Sequence, residues 1–196
     1  MNPEKTDLRR RLGNPIGLFF ARALARTGIS PNALTVMGFL ITVVAAIVIG
    51  NGQLVWGAVV ILLAGLFDLL DGALARYTGK MTLFGAILDS TLDRLSDAAL
   101  FIGLVAYWVV LGETTPVVIT AVTLAGALTV SYTRARAEAA GLKGKEGFFT
   151  RPERVIVLAL GLIFHIPLAA VVIIGALSYI TILQRLASSY RQTGGR

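Results

Sequence analysis

Four aspartates, Asp68, Asp71, Asp89 and Asp93, interrupt a strongly apolar stretch of this 196-residue chain. An ionised carboxylate at the centre of a membrane-spanning helix costs about 2.5–3.5 kcal/mol, so four of them need compensating positive charge. Carboxylate oxygens are the ligands that Mg²⁺, Mn²⁺ and Ca²⁺ prefer. Four carboxylates suffice for two ions, an arrangement that holds a phosphoryl group during displacement. We therefore predict a metal site at these aspartates.

The spacing of the aspartates places them on two helix faces. Asp68 and Asp71 are three residues apart, and Asp89 and Asp93 are four apart, so each pair shares a face of a helix. If the chain turns near Gly79, all four lie about 12–21 Å from the turn at 1.5 Å per residue. We expect the two faces to meet at one oxygen-rich site.

Two other interpretations of the aspartates stay open at this point. Arg76 and Arg94 could neutralise two of the four carboxylates, which leaves at least two charges without compensation. Aspartates within a membrane also mark the ion pathways of transporters. Transporter folds often contain internal repeats, whereas this chain shows none and confines these aspartates to one predicted hairpin.

The composition indicates a membrane protein. Hydrophobic residues make up 56% of the chain and charged residues 15%, against about 25% charged in ordinary soluble domains. We predict an all-α integral membrane bundle that forms a single domain over residues 1–196. Residues 1–29 form a juxtamembrane segment with an amphipathic helix over 15–27, and residues 30–190 form the bundle. Its six transmembrane helices are predicted at 32–50, 53–76, 82–111, 115–134, 150–166 and 168–188, although Pro167 could instead kink one long helix.

The distribution of basic residues predicts the orientation. The loops near 51–52, 112–114 and 166–167 contain no Lys or Arg, and they fall on one side of a six-span bundle. The positive-inside rule then places both termini and the predicted site on the cytoplasmic side of the cell membrane. The net charge of +7 follows from this topology, so we expect no nucleic acid partner.

The pattern D-x2-D-G-x2-A-R-x8-G-x3-D-x3-D, from Asp68 to Asp93, resembles the signature of the CDP-alcohol phosphotransferase family. This resemblance implies an enzyme of phospholipid biosynthesis that uses a CDP-linked lipid, commonly CDP-diacylglycerol. An alcohol hydroxyl attacks the phosphorus joined to the lipid, and CMP leaves. The resemblance further implies two Mg²⁺ or Mn²⁺ ions on the four aspartates, Asp93 as the base, and a homodimer.

The resemblance also assigns residues to the CDP-lipid. They are Gly72, Ala75, Arg76, Thr82 and Gly85, together with the segment Pro31, Asn32, Ala33, Leu34 and Thr35. That segment begins a predicted helix, where free N–H groups suit an anion. A simple helix cap is the alternative interpretation. Glycine leaves room for a ligand to approach the backbone at positions 72 and 85.

The basic segment 134–154 is a candidate binding site for a phosphorylated acceptor alcohol. Positive-inside topology accounts for part of its charge. The stretches S-Y-T-R-A-R-A-E from Ser131 and R-P-E-R from Arg151 resemble the family branch that uses inositol 1-phosphate, and its archaeal-lipid counterpart. By that likeness Arg134, Arg154 and Arg185 bind the acceptor phosphate, with Arg185 preferred to Arg191. The alternative acceptor is glycerol 3-phosphate. The resemblance associates that acceptor with a G-K-x-K-T type of segment, of which the chain shows only Gly144 and Lys145.

Overall fold

The computed structural model describes residues 15–143 and 147–194. Regular structure in these parts is entirely α-helical, as predicted. The helices are α1 (Pro15–Arg26), α2 (Pro31–Gly50), α3 (Leu54–Thr78), α4 (Leu83–Val110), α5 (Thr114–Ala139), α6 (Arg151–Ile163) and α7 (Pro167–Gln192). Residues 1–14 of the predicted juxtamembrane segment and residues 144–146 of the basic loop lie outside the described residues.

Local side-chain and backbone signals set the ends of these helices. Ser30 caps α2 by accepting a 3.2 Å hydrogen bond from the Ala33 N–H. Gly79 ends α3 in the left-handed conformation at φ 66°, which glycine adopts without strain. Helix α5 begins at Thr114, one residue before the predicted span of 115–134. Pro116 fits its first turn, where N–H groups have no helical partner.

The break between α6 and α7 separates two helices and does not kink a single one. The first ends at Ile163, and His165 follows with a φ of 57°. Pro167 then opens the next helix at a position where its missing N–H is tolerated.

Six helices form a closed ring in the order α2, α3, α6, α7, α5, α4, in which each helix packs against its two neighbours. Helix α1 packs against α3 from outside this ring. Although α3 and α4 are consecutive and carry the aspartates, they do not pack against each other, because α2 contacts both. The expected hairpin is thus separated, and its acidic faces border the space inside the ring.

An apolar core fills one end of the ring. It includes Ile49, Leu54, Leu104, Leu162 and Val171, all of which are buried. Most of these side chains lie near the loops that contain no Lys or Arg. The aspartates are therefore confined to the opposite end of the ring.

The apolar outer surface and the helix lengths are those of a multi-pass membrane protein. In the described part of the chain, α2, α3, α5 and α7 are long and apolar enough to cross a bilayer. Helix α4 is also long, with 28 residues, but it carries several charges in its first half. Helix α6 has 13 residues, about 20 Å against a hydrocarbon core of about 30 Å. The count of six spans therefore stays a prediction.

The crossing of α2 and α4 requires a glycine. A Cβ added to Gly103 would lie 2.4 Å from the Ala46 carbonyl oxygen, so the two backbones would have to separate. We expect Gly103→Ala to destabilise the protein by about 1–3 kcal/mol through overpacking, measured by unfolding in detergent micelles. The matched control is Gly65→Ala, because a Cβ there meets nothing within 4 Å. Equal stability of the two variants would contradict this account of the crossing.

Candidate active site

The four predicted aspartates lie close together at the polar end of the ring. The carboxylates of Asp68 and Asp89 are each close enough to repel those of the other three aspartates. Asp71 is only 7% exposed, and its Oδ2 accepts a 2.6 Å hydrogen bond from the Thr35 hydroxyl of α2. Helix α2 therefore fixes one of the four side chains. The two acidic helix faces converge as their spacing predicted.

A guanidinium lies among the carboxylates. Arg151, at the start of α6, pairs with Asp68 through Nη1, and the same nitrogen lies 2.6 Å from Asp93 Oδ1. Its Nε is 3.6 Å from Asp97 Oδ1. Asp97 also accepts a 2.5 Å bond from Nη2 of Arg154. Two arginines of α6 thus supply positive charge to three carboxylates of α3 and α4.

Arg76 and Arg94, the alternative partners of the aspartates, make other contacts. Arg94 donates to the backbone carbonyls of Ser90 and Ser131. Arg76 lies back over Gly72, with Nη1 3.2 Å from where a Cβ on that glycine would be. The four aspartates Asp68, Asp71, Asp89 and Asp93 are called the acidic cluster below. Their basic partner therefore comes from α6 and not from α3 or α4.

Asp97 and Arg151 were missed as site residues by the sequence analysis. A signal for Asp97 was present, since it continues the four-residue spacing of Asp89 and Asp93 one turn further along α4. Arg151 and Arg154 share a face at the start of α6, where Glu153 accepts hydrogen bonds from the N–H and the hydroxyl of Thr150. The sequence contained no signal that this helix start faces Asp97.

The donor set of the acidic cluster suits a hard divalent cation. Its oxygens are all carboxylate, and the guanidinium between Asp68 and Asp93 shows that the position accepts a cation. Within residues 15–143 and 147–194, no three Asp, Glu, His or Cys side chains are arranged to hold one metal ion. Arg151 contacts two of the four aspartates. Metal ligation by these aspartates stays a prediction.

A cavity of about 180 Å³ adjoins Asp71 and Asp89. Its lining includes seven residues predicted to contact the CDP-lipid, namely Pro31, Asn32, Thr35, Gly72, Ala75, Thr82 and Gly85, and also Lys80. The other three predicted contacts, Ala33, Leu34 and Arg76, are not among its lining residues. The expectation of free N–H groups at this helix start is wrong for Ala33 and Leu34, because both donate to Ser30.

A larger cavity, of about 680 Å³, is also lined by Asp89. Its lining includes Asp89, Asp93 and Asp97. It also includes arginines of α5, α6 and α7, called the basic wall below, among them the predicted acceptor-phosphate ligands Arg134, Arg154 and Arg185. Ala86 and Asp89 line both cavities, so the two spaces meet at this point of α4. Arg191 lines a different cavity.

The arginines of the basic wall lie close together, and two of them are buried. Arg154 is 3% exposed and Arg185 is 5% exposed, and Arg185 lies within the electrostatic range of Arg134 and Arg154. Arg154 binds Asp97 through Nη2, while its Nε and Nη1 are buried without a hydrogen-bond partner. Such a wall suits an anion that accepts several charge-assisted hydrogen bonds.

The buried pair of Asp97 and Arg154 gives a stability prediction. Asp97→Asn leaves the Arg154 charge without its carboxylate, so we expect a loss of about 3–5 kcal/mol in the free energy of unfolding. Glu138→Gln is the control, because Glu138 pairs with Arg134 at 2.9 Å and both side chains are nearly half exposed. That change should cost about 0–1 kcal/mol. Chemical unfolding in detergent micelles measures both, and a similar small effect of the two changes would contradict the prediction.

Comparison with known proteins places this arrangement in a family. A family profile described as CDP-alcohol phosphatidyltransferase matches residues 28–185. The phosphatidylinositol phosphate synthase of Mycobacteroides abscessus is 40% identical over 186 residues, which cover 90% of this chain and 82% of that protein. The archaetidylinositol phosphate synthase of Pyrococcus horikoshii is 40% identical over 166 residues, which cover 84% of this chain and 86% of that protein.

Solved structures agree with this assignment. The crystal structure of Mycobacterium tuberculosis phosphatidylinositol phosphate synthase with CDP-DAG bound matches with a TM-score of 0.82 and 36% identity, over 90% of this chain and 94% of that one. The same enzyme in complex with manganese and citrate matches with a TM-score of 0.81, over 89% and 88% of the two chains. The family is metal-dependent. The chain is a transferase that belongs to the CDP-alcohol phosphatidyltransferase family.

Proposed function

We propose that this enzyme transfers a phosphatidyl-type group from a CDP-linked lipid to a hydroxyl of inositol 1-phosphate and releases CMP. The observation that carries the proposal is the meeting of two cavities at Asp89. One is lined by the residues predicted for the CDP-lipid and the other by arginines suited to a phosphorylated acceptor. The names of the relatives, which are inositol phosphate lipid synthases, support this acceptor over glycerol 3-phosphate.

The smaller cavity is the proposed donor site. Asn32 and Thr82 bring polar side chains to it. Gly85 lies between them, and a Cβ there would be in tight contact, 3.0 Å from a side-chain oxygen of each. Lys80 lines the same space and can pair with a diphosphate oxygen. The lipid tails of CDP-diacylglycerol, or of an ether analogue, would extend along the apolar outer surface of the helices.

Asp68, Asp71, Asp89 and Asp93 are the residues that would hold Mg²⁺ or Mn²⁺, and we propose two ions per site. Bound there, the ions would neutralise the diphosphate and stabilise the leaving CMP. The Thr35 hydroxyl would keep Asp71 in one orientation, and Gly38 leaves the space that Asp68 uses, because a Cβ there would lie 2.9 Å from Asp68 Oδ1.

Asp93 is the proposed base. It lines the larger cavity, so it can reach an acceptor hydroxyl bound there. The hydroxyl proton passes to the Asp93 carboxylate, and the oxygen bonds to the phosphorus joined to the lipid. The phosphorus–oxygen bond to CMP then breaks. Arg134, Arg154 and Arg185 hold the acceptor phosphate meanwhile, which orients the reacting hydroxyl.

We also propose that the enzyme resides in the cell membrane with its site and both termini in the cytoplasm, and that it forms a homodimer. The orientation is supported by the loops 51–53, 111–113 and 164–166, which lie at the end remote from the aspartates and carry no Lys or Arg. The homodimer rests on the family resemblance.

The acceptor is tested by supplying CDP-diacylglycerol and Mg²⁺ with one labelled acceptor at a time, namely inositol 1-phosphate, glycerol 3-phosphate, serine or inositol. We expect labelled lipid and free CMP with inositol 1-phosphate. Labelled lipid with glycerol 3-phosphate alone would support the alternative acceptor. Uptake of solute into liposomes without any CDP-lipid would favour a transporter.

The role of Asp93 is tested by Asp93→Asn. The variant should fold and should lose turnover by about 10²–10⁴-fold, the usual contribution of a general base. Turnover is measured as CMP release, and folding by elution and thermal unfolding in detergent. Lipid synthesis at the wild-type rate would refute this role.

The acceptor-phosphate site is tested by Arg185→Gln. Loss of a charge-assisted hydrogen bond of about 1.5–3 kcal/mol should raise the KM for inositol 1-phosphate roughly tenfold to a hundredfold. The KM for CDP-diacylglycerol should change little. Arg191→Gln is the control, because Arg191 is on the same helix but lines another cavity. Equal effects of the two substitutions on the acceptor KM would contradict the assignment.

A further inference from the structure

We infer that Arg151 is an internal counter-ion of the acidic cluster, and that a divalent cation must displace its guanidinium to reach Asp68 and Asp93. This inference rests on the proposed metal role of the aspartates. It assigns a positioning function to a residue outside the aspartate signature. Arg151 would fill the cation position until metal arrives.

The contacts of Arg151 resemble those of a bound cation. A single nitrogen, Nη1, contacts Asp68 from α3 and Asp93 from α4. These two helices do not pack against each other, so the guanidinium joins them across the space inside the ring. Among the ion pairs of the described residues, the other basic partner of α4 is Arg154, and it contacts only Asp97.

The guanidinium and a metal ion cannot both lie between Asp68 and Asp93. Mg²⁺ requires oxygen ligands at about 2.0–2.1 Å in a nearly octahedral shell, so it cannot be placed between Asp68 and Asp93 while Nη1 lies there. Two neighbouring cations also repel each other. Binding of the metal is therefore an exchange, and the contacts of Arg151 with Asp68 and Asp93 oppose it.

The structure provides a second partner for the displaced side chain. Nε of Arg151 already lies 3.6 Å from Oδ1 of Asp97, one helical turn beyond Asp93. Arg151 also lines the larger cavity. A small rotation of the side chain would keep a carboxylate contact, so no arginine is left buried without a partner. The same movement carries positive charge toward the proposed acceptor phosphate.

The test is Mn²⁺ binding to the detergent-purified protein, measured by electron paramagnetic resonance without CDP-lipid or acceptor. Arg151→Gln removes the competing cation, so we expect its Mn²⁺ dissociation constant to fall by about tenfold. The control is Arg94→Gln. Arg94 follows Asp93 in the chain and lines the same cavity, but it donates to backbone carbonyls. Its loss should change the Mn²⁺ dissociation constant by no more than about twofold.

Thermal unfolding gives an independent readout. Metal-free Arg151→Gln should unfold at a lower temperature than the wild type, because the carboxylates lose their counter-ion. Saturating Mn²⁺ should raise its midpoint by more than it raises the wild-type midpoint. Arg151→Lys keeps the positive charge on a shorter side chain, so this variant should bind Mn²⁺ with intermediate affinity. It serves as the test variant if Arg151→Gln does not fold.

The outcomes separate this inference from the proposed function. Wild-type protein that binds no Mn²⁺ would overturn the metal role of the aspartates and this inference with it. Wild-type protein that binds Mn²⁺ no more weakly than Arg151→Gln and Arg151→Lys would overturn this inference alone. Equal tightening by Arg94→Gln would also overturn it, since the effect would then arise from net charge.

Discussion

The main physical constraint on this protein is a cluster of four carboxylates inside a ring of apolar helices. The negative charge of this cluster must be neutralised. Asp68 and Asp89 each lie in the field of the other motif aspartates, and water is largely excluded from Asp71. Cations beside such an arrangement offset the cost of burying its charges. Arg151 supplies one positive charge across the gap between α3 and α4, and a catalytic divalent ion would supply more.

The ring order of the helices converts this charge distribution into two adjoining cavities. Helix α2 separates α3 from α4 and leaves their acidic faces open to the interior. Helices α5, α6 and α7 bring arginines to the larger cavity. A phosphoryl transfer between two anionic substrates requires this separation, because each anion needs its own set of cations.

The basic wall consists of arginines, which suits its proposed task. A guanidinium presents several donors in a planar fork, so it can bind a carboxylate with one edge and a phosphate with another. Arg154 illustrates this, because one nitrogen is held by Asp97 while two others remain buried and unpaired. Asp97 therefore orients the arginine as well as compensating its charge.

The sequence by itself determined the properties that depend on neighbouring residues along the chain. The shared faces of the aspartate pairs and the apolar membrane helices follow from local spacing, which obeys helix geometry wherever the helix is placed. Tertiary structure alone decided that α2 lies between α3 and α4, and that Arg151 rather than Arg76 or Arg94 meets the aspartates. Those contacts join residues far apart in the chain, and only the packing of all six helices fixes which of them face each other.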